Sequence, residues 1–218
     1  REMLSGRLPA NPVTPLQIAQ WQEQASGFAQ HLRSRSVPPA GEEVSLALHG
    51  MQLTATLPRG AGGKLVFARL ANPKARDYLT LWLHHLVANC LAPSDALGFY
   101  RGEDDGVLEL HAAPLPAERA RQLLSDWYQL WQDSLLTPLP LHGSLGLLAP
   151  EEGFVETHFP ALWADSYQGT GLGADPWLAW FWPEPPDPQT LQAQLLPLYG
   201  PMLQHLEHTQ IALEAGDG

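Results

Sequence analysis

Residues 44–76 constrain the fold of this chain more than any other part of the sequence. Apolar residues alternate with other residues at period two in VSLALHG and again in MQLTATLP, as they do in strands that are covered on one face. A continuous apolar run follows at residues 65–70. The dipeptide His49-Gly50 provides a tight connection, and residues 58–63 provide a looser one. The stretch therefore predicts a three-stranded meander.

The charges of this stretch are all of one sign. No Asp or Glu lies between Glu43 and Asp77. Its cations are Arg59, Lys64, Arg69, Lys74 and Arg76. A divalent ion takes oxygen ligands, preferably carboxylates. We therefore expect no metal-binding carboxylate in the meander.

Helical periodicity appears before and after the meander. Helices are predicted at residues 14–34, 73–91, 116–135, 151–167 and 190–209. A further hairpin is predicted from residues 97–100 and 107–111. Residues 137–148 show no clear period, and Pro197 and Pro201 are candidate breaks in the last helix. The order predicts an α/β chain with one mixed sheet and flanking helices.

Composition limits the class of protein. The chain has 218 residues, a single cysteine (Cys90), and no apolar run of the roughly 20 residues that a membrane helix needs. It shows no signal-peptide pattern, so we expect a soluble, cytoplasmic protein without membrane partners. The sequence begins with Arg1, which suggests a piece of a longer polypeptide.

Charge is distributed unevenly along the chain. All 12 Lys and Arg lie at or before Arg121, whereas residues 122–218 contain acids and no Lys or Arg. Isolated nucleic-acid-binding domains are usually basic, so the acidic half is a poor general DNA-binding surface. It suits a basic partner, or simply solubility.

The order of a helix, a three-stranded meander and a long helix is also that of the restriction-endonuclease-like nucleases. In those enzymes the second strand supplies an Asp and the third carries Asp/Glu-x-Lys. Their acids hold Mg²⁺, and the Lys stabilises charge that develops on the phosphate.

Several segments resemble the C-terminal end of the RecC (gamma) subunit family of exodeoxyribonuclease V, the RecBCD helicase-nuclease. They are SGRLP, LHGMQLTATLP, KLVFARLANPKARD, ARDYLTLWLHHLVANC, PAERARQLLSDWYQLW and PWLAWFW, in that order along the chain. The resemblance implies a restriction-endonuclease-like (PD-(D/E)XK) mixed sheet from which the catalytic residues are absent. The implied divisions are an N-terminal helical segment (residues 1–36), a nuclease-like core (37–148) and an acidic, Trp- and Pro-rich helical region of the same domain (149–218).

The resemblance also identifies the degenerate active-site positions. An active nuclease would place an acid near Leu53 or Thr54, an acid near Phe67, and a Lys at Arg69. None of these four side chains supplies a carboxylate, so no catalytic residue is assigned. The family implies a scaffold that contacts RecB, and in some arrangements RecD, and helps to split duplex ends and guide the unwound single strands. Magnesium and ATP would belong to the partner subunits.

Two groups of residues are candidate binding sites. The cations Arg59, Lys64, Arg69, Lys74 and Arg76 could contact DNA phosphates, although strand alternation prevents all five from sharing one face and a solvated rim is the commoner role. The aromatic run Trp177, Trp180, Phe181 and Trp182 could stack on bases, but its flanking acids favour a protein partner or a core position. The histidine pairs His84–His85 and His205–His208 lack further ligands that converge on them from other elements, so no metal site is predicted.

Three functions stay open from the sequence. The first is the non-catalytic subunit domain. The second is an active Mg²⁺-dependent nuclease whose acids come from outside the meander, namely Glu42, Glu43, Asp77 or Glu109. The third is a free-standing interaction module without a role on DNA.

Overall fold

The computed structural model describes residues 13–35, 40–140, 142–165 and 169–212. The strands are β1 (Ala40–Leu48), β2 (Met51–Arg59), β3 (Leu65–Arg69), β4 (Ala96–Arg101), β5 (Val107–Ala112) and β6 (Leu206–Ile211). The helices are α1 (Val13–Ser34), α2 (Ala75–Leu91), α3 (Ala117–Leu136), α4 (Gly143–Leu148), α5 (Phe159–Trp163), α6 (Pro176–Phe181) and α7 (Pro188–His205). The first 12 residues of the predicted N-terminal segment, the end of the predicted helix 151–167 and the last six residues of the chain lie outside the described part.

The strands form one sheet with the spatial order β1-β2-β3-β4-β5-β6. Neighbouring strands are antiparallel except β3 and β4, which are parallel and are joined through α2. A parallel pair needs such a crossover because a tight turn can join only antiparallel strands. The predicted α/β class, with a mixed sheet and flanking helices, is confirmed.

The first two strands form a regular hairpin. They pair along their whole length, from Leu48↔Met51 at the turn to Ala40↔Arg59 at the open end. His49 and Gly50 both have positive φ, 49° and 76°, as the two central residues of a type I′ turn require. The predicted tight connection is therefore confirmed.

The predicted meander is only partly correct. Strands β2 and β3 pair at a single position, Arg59↔Leu65, and then separate. The first strand also begins earlier than predicted, at Ala40, so Glu42 and Glu43 belong to the sheet. The carboxylate-free stretch therefore covers β2 and β3 but not β1.

The two faces of the sheet pack against different helices. Phe28 of α1 packs against Val66, Phe99 and Val107 on one face of the central strands. The opposite face contributes to the larger core, which also contains residues of α2, α3, α4 and α7. Successive residues such as Leu65 and Val66 belong to different cores, as the period-two alternation of a strand dictates.

Helix α1 is also tied to the sheet by charge. The Arg35 guanidinium, just after the helix, donates to both carboxylate oxygens of Glu109 on β5, at 2.7 Å (Nη2 to Oε1) and 3.2 Å (Nε to Oε2). The Glu109 side chain is nearly buried, so the ion pair compensates the cost of placing that carboxylate under the helix.

The prediction of the last helix, over residues 190–209, is wrong at its C-terminal end. Helix α7 stops at His205, and the following residues form β6, which pairs antiparallel with β5 from Ala112↔Leu206 to Val107↔Ile211. Pairing of this strand covers an edge of β5 that would otherwise be open. Pro197 and Pro201 lie inside α7 without ending it.

Two smaller differences concern the region between α3 and α6. Short helix α4 lies in a segment that showed no clear period. The predicted helix from residue 151 is a π-helical turn, Phe154–His158, that leads into α5. Among the described residues, no helix combines the length and the apolar character that crossing a membrane requires.

Candidate functional site

The four positions that the family resemblance predicts to be a degenerate active site lie on the two strands that separate. Leu53 and Phe67 are half-buried and pack against the main core, and Thr54 is exposed. The Phe67 ring meets the His84 ring of α2 edge to face, with centroids 5.5 Å apart. Because β2 and β3 share one residue pair, the ladder does not extend to these positions. The structure therefore does not bring Leu53 and Thr54 together with Phe67 and Arg69 as paired neighbours.

These residues do not fit a divalent metal ion. Mg²⁺ and Ca²⁺ are held by oxygen ligands, preferably carboxylates, whereas Leu53 and Phe67 are hydrocarbons and Arg69 is a cation. Thr54 offers one hydroxyl. Within the described ranges, moreover, no cluster of three His, Cys, Asp or Glu side chains has the arrangement to hold a metal ion.

Arg69 is committed to an ion pair inside the chain. Its Nη2 contacts Asp77 Oδ2, its Nε donates to Asp77 Oδ1 at 3.2 Å, and its Nη2 also donates to the Asn72 carbonyl at 2.9 Å. Asp77 in turn accepts the backbone N–H of Lys74 at 2.6 Å, which satisfies a free donor at the start of α2. The Arg69 charge, at the position predicted for a nuclease lysine, therefore holds β3 to α2.

Arg59 is engaged in a similar way. Its Nε donates to Glu42 Oε2 at 2.7 Å, and its Nη1 donates to the Gly63 carbonyl at 2.7 Å and to Ser94 Oγ at 2.9 Å. These contacts join β1, the β2–β3 connection and the segment before β4. The guanidinium thus closes the end of the sheet where β2 and β3 still pair.

The other three candidate cations are differently placed. Lys64 is half-buried, Lys74 and Arg76 are exposed, and no ion pair involves any of the three among the described residues. Lys74 and Arg76 line a cavity of about 470 Å³ together with His142 and Ser144, between the start of α2 and the start of α4. Of the five predicted cations, these two face a common cavity.

A larger groove lies beside this cavity, and we refer to it as the hairpin groove. It has a volume of about 710 Å³ and runs between the β1–β2 hairpin, α2 and α3. Its lining residues are Leu48, Met51, Gln52, Leu53, Thr54, Ala55, Leu83, His84, Val87, Leu124, Trp127, Tyr128, Leu130, Trp131 and Ser134. Leu83 and His84 line both the hairpin groove and the cavity, so the two are adjacent.

The aromatic wall of the hairpin groove is formed by α3. Tyr128 stacks on His49 at 5.3 Å between ring centroids, lies 5.8 Å from Trp131, and donates its hydroxyl to Met51 Sδ at 2.8 Å. The sequence predicted a helix at residues 116–135 but did not predict the groove, because nothing within that helix indicates that it packs beside the β1–β2 hairpin.

The predicted aromatic site is divided by the structure. Trp177 and Trp180 are 77% and 80% exposed, and Phe181 is half exposed, all on the short helix α6. We refer to these three residues as the aromatic knob. Trp182 instead contributes to a cavity beside the start of α7. Asp175 begins α6 by accepting the N–H groups of Trp177 at 2.9 Å and Leu178 at 3.1 Å.

A buried polar cluster stabilises the end of α2 and was not predicted. Asn89 Oδ1 accepts the N–H groups of Ser94 at 3.1 Å and Leu115 at 2.9 Å, and its Nδ2 donates to the Ser94 carbonyl at 2.9 Å. Burial, followed by the nearby His205, lowers the pKa of His85 to about 4. The ring of His85 is fully enclosed and neutral, which is a structural role.

Comparison with known families gives one match. The family model of the RecC C-terminal domain matches residues 1–149 of the chain. The match spans the elements from α1 to α4, and β6, which completes the sheet, lies beyond it. The comparison with curated proteins gave no match.

Proposed function

Because this chain belongs to the RecC C-terminal domain family, we propose that it is a non-catalytic domain of a RecBCD-type helicase-nuclease. In that complex it contacts the RecB subunit, with RecD as a second candidate, and helps to split duplex ends and guide the unwound strands. Its function belongs to repair of double-strand breaks by homologous recombination. Magnesium and ATP are used by the partner subunits.

The fold relation that we propose is to the restriction-endonuclease-like nucleases. The element order α1-β1-β2-β3-α2-β4 and the mixed sheet support this relation. The two strands that would carry the nuclease acids are β2 and β3. Their separation after Arg59↔Leu65 gives a physical reason why the ancestral site would not assemble even if acids were restored.

One observation carries the non-catalytic assignment. The position of the nuclease lysine is taken by Arg69, whose guanidinium is held by Asp77 and by the Asn72 carbonyl. A lysine that stabilises phosphate charge must face the substrate, whereas this guanidinium faces the start of α2. Leu53 and Phe67, at the positions of the acids, add apolar surface and no metal ligand.

The alternative of an active nuclease requires acids from elsewhere. Three of the four candidates are already in ion pairs: Glu42 with Arg59, Asp77 with Arg69, and Glu109 with Arg35. The fourth, Glu43, is exposed on β1 opposite Thr56. These acids lie on three elements, β1, α2 and β5, and no three of them converge on a metal-binding position among the described residues, which favours the non-catalytic function.

The aromatic knob is the proposed contact with the protein partner. Exposed tryptophans are the residues that most often anchor protein interfaces, and isolated domains rarely expose three together without a use. Lys64 is the proposed phosphate contact, because the guanidinium groups of Arg59 and Arg69 are occupied within the chain and Lys74 and Arg76 face a separate cavity.

Two measurements on the purified chain test the proposal. We expect it to co-purify with RecB, and we expect no cleavage of end-labelled linear duplex DNA in Mg²⁺ or Mn²⁺. Cleavage that is lost in the Glu43→Gln variant would establish the active-nuclease alternative. The scaffold function would be contradicted if the chain associated neither with RecB alone, nor with RecD alone, nor with the two together. A free-standing interaction module would then remain.

A further inference from the structure

Among the residues that the structure describes, the gap between β2 and β3 leaves a strand edge open in the middle of the sheet. β2 pairs with β1 along all its residues but pairs with β3 only at Arg59↔Leu65. Open edges of this kind are normally paired, covered or blocked by charged side chains, because they offer unsatisfied backbone groups to another chain. The exposed residues of β2 along this edge, Gln52, Thr54 and Thr56, carry no charge.

The turn geometry determines which backbone groups face the gap. In a hairpin with a two-residue turn, the pair that closes the turn, here Leu48↔Met51, is hydrogen-bonded, and such pairs alternate along the ladder. The odd-numbered residues of β2 therefore point their N–H and C=O groups at β1. The groups of Gln52, Thr54 and Thr56 point the other way, toward β3. The hydrogen bond from the Gly60 N–H to the Lys64 carbonyl is 2.8 Å long. Gly60 is the even-numbered residue directly after β2, so this bond confirms the direction.

The hairpin groove adjoins this edge. Gln52 and Thr54 line the groove themselves, and His84, which touches Phe67 of β3, lines its other side. Between them the floor and wall are apolar and aromatic, with Tyr128 and Trp131 among the lining residues. An added strand could therefore satisfy the backbone of β2 and bury alternate side chains at the same time, as in the recognition of peptides by strand addition.

Charge specifies one end of the occupant. The cavity with Lys74 and Arg76 adjoins the hairpin groove at Leu83 and His84, and neither the groove nor the cavity is lined by an acid. Both cations lack an ion pair in the described part of the chain. They would attract carboxylates at one end of a segment whose remaining length is apolar.

We propose that the gap between β2 and β3 binds an extended peptide segment of another protein, with alternating apolar side chains and an acidic pair at one end, as a strand added to β2. Polypeptide is favoured over single-stranded DNA because the gap presents backbone donors and acceptors at the spacing of a strand. The two cations also lie at one end and do not follow the groove as a phosphate-binding track would. The site is remote in sequence from the aromatic knob and does not depend on RecB.

The probe is a set of fluorescein-labelled peptides about nine residues long, the length of an ordinary strand. In each peptide, leucine, valine or phenylalanine alternates with threonine. Two aspartates are placed at the N-terminal end in some peptides and at the C-terminal end in the others. We expect saturable binding to the purified chain by fluorescence anisotropy. Replacing the aspartates with lysines, or the chain's Lys74 and Arg76 with Glu, should weaken binding about tenfold or more.

Backbone pairing is tested separately from burial. Thr54→Pro removes an N–H that faces the gap and leaves the pairing with β1 intact, a position where proline is tolerated. We expect it to weaken binding about tenfold, whereas Thr54→Val, which keeps the N–H, should bind normally. If Thr54→Pro fails to fold, peptides N-methylated at alternate residues report on the same hydrogen bonds from the other side.

Three results would overturn the proposal. The first is no saturable binding by any peptide of the set. The second is equal binding of peptides N-methylated on alternate residues in either register, which would show that no strand is added. The third is displacement of bound peptide by oligothymidylate at equal concentration, which would make the hairpin groove a nucleic-acid site. Whether the chain binds RecB tests the proposed function only. The three peptide-binding results are interpreted in the same way in either case.

Discussion

At the scale of single residues, Asp77 links the start of α2 to β3. Its carboxylate pairs with Arg69 and accepts the Lys74 N–H at 2.6 Å, and its side chain is only 12% exposed. One acid thus compensates the cation at the nuclease-lysine position and satisfies the helix start. Loss of its charge would leave a half-buried guanidinium without a counter-ion.

We predict that Asp77→Asn lowers the free energy of unfolding by about 2 kcal/mol, through the lost ion pair and the weakened helix start. Urea denaturation at neutral pH measures this change. Asp133→Asn is the matched control, because Asp133 is exposed on α3 and its carboxylate accepts from Gln129. Equal stability of the two variants would show that the Arg69 pair does not stabilise the fold.

His85 makes stability depend on pH. Its pKa in the folded chain is about 4, lowered from 6.5 chiefly by burial and then by His205, while Asp95 opposes the shift. Because the folded state disfavours protonation, the contribution is complete above pH 6.5 and is lost as the pH falls toward 4. Between pH 6.5 and 5 the expected loss is about 2 kcal/mol.

Urea unfolding at a series of pH values checks this expectation. His85→Gln should flatten the pH dependence between 6.5 and 5, whereas His158→Gln should retain it. A His85→Gln variant with the wild-type slope would assign the pH dependence to other groups.

At the scale of elements, the contact between α4 and α7 depends on the absence of one side chain. A Cβ at Gly146 would lie 2.1 Å from the ring atom Cζ of Tyr199, which is buried on α7. The Tyr199 side chain is itself buried, so its ring cannot swing aside into solvent. The glycine therefore sets how closely the two helices approach.

We predict that Gly146→Ala destabilises the chain by about 2 to 3 kcal/mol through overpacking. Gly200→Ala, one residue beyond Tyr199 on α7, is the control, because its added Cβ meets nothing within 4 Å. That substitution should be neutral or stabilise by about 0.5 to 1 kcal/mol. Thermal unfolding of both variants measures the difference, and a stable Gly146→Ala would mean that the helices can separate without cost.

The elements also show how far the sequence predicts this fold. The β1–β2 hairpin followed from strict alternation and from His49-Gly50, and α2 followed from its periodic apolar residues. Strand β6 did not, because no Gly or Pro separates it from α7 and Leu206 continues the helical pattern. Only pairing with β5, about a hundred positions earlier, makes those residues a strand.

The candidate site was also predictable only in part, because its arrangement depends on contacts between distant parts of the chain. Local pattern identified apolar residues at Leu53 and Phe67 and a cation at Arg69. It could not indicate that β2 and β3 separate, since strand pairing is not local, nor that Asp77 would hold the Arg69 guanidinium. The hairpin groove exists only because α3 packs beneath the hairpin, and that arrangement leaves no signal within either segment.

At the scale of the whole molecule, the positive charges and the two most exposed tryptophans lie in different parts of the sequence. Residues 122–218 contain no Lys or Arg, and within them Trp177 and Trp180 are almost fully exposed. An acidic segment that exposes two tryptophans suits a partner with an apolar pocket and basic residues near it.

We predict that the double variant Trp177→Ala and Trp180→Ala loses co-purification with RecB, with an affinity lower by about a hundredfold, and keeps the wild-type melting temperature. Trp21→Ala, at a half-exposed position of α1, is the matched control and should bind RecB normally. Retained binding by the double variant would move the RecB contact to another surface.

The central claim is the proposal that Leu53, Thr54, Phe67 and Arg69 occupy the positions of a nuclease site that is inert in this chain. A crystal structure of the chain soaked in Mn²⁺, with anomalous difference density calculated around Leu53, Thr54, Phe67 and Arg69, tests it most directly. The account predicts no manganese peak there and an Arg69–Asp77 pair that stays closed. A manganese ion in that position, held by Asp77 or Glu43 after the pair opens, would contradict the account and identify the chain as a metal-dependent nuclease.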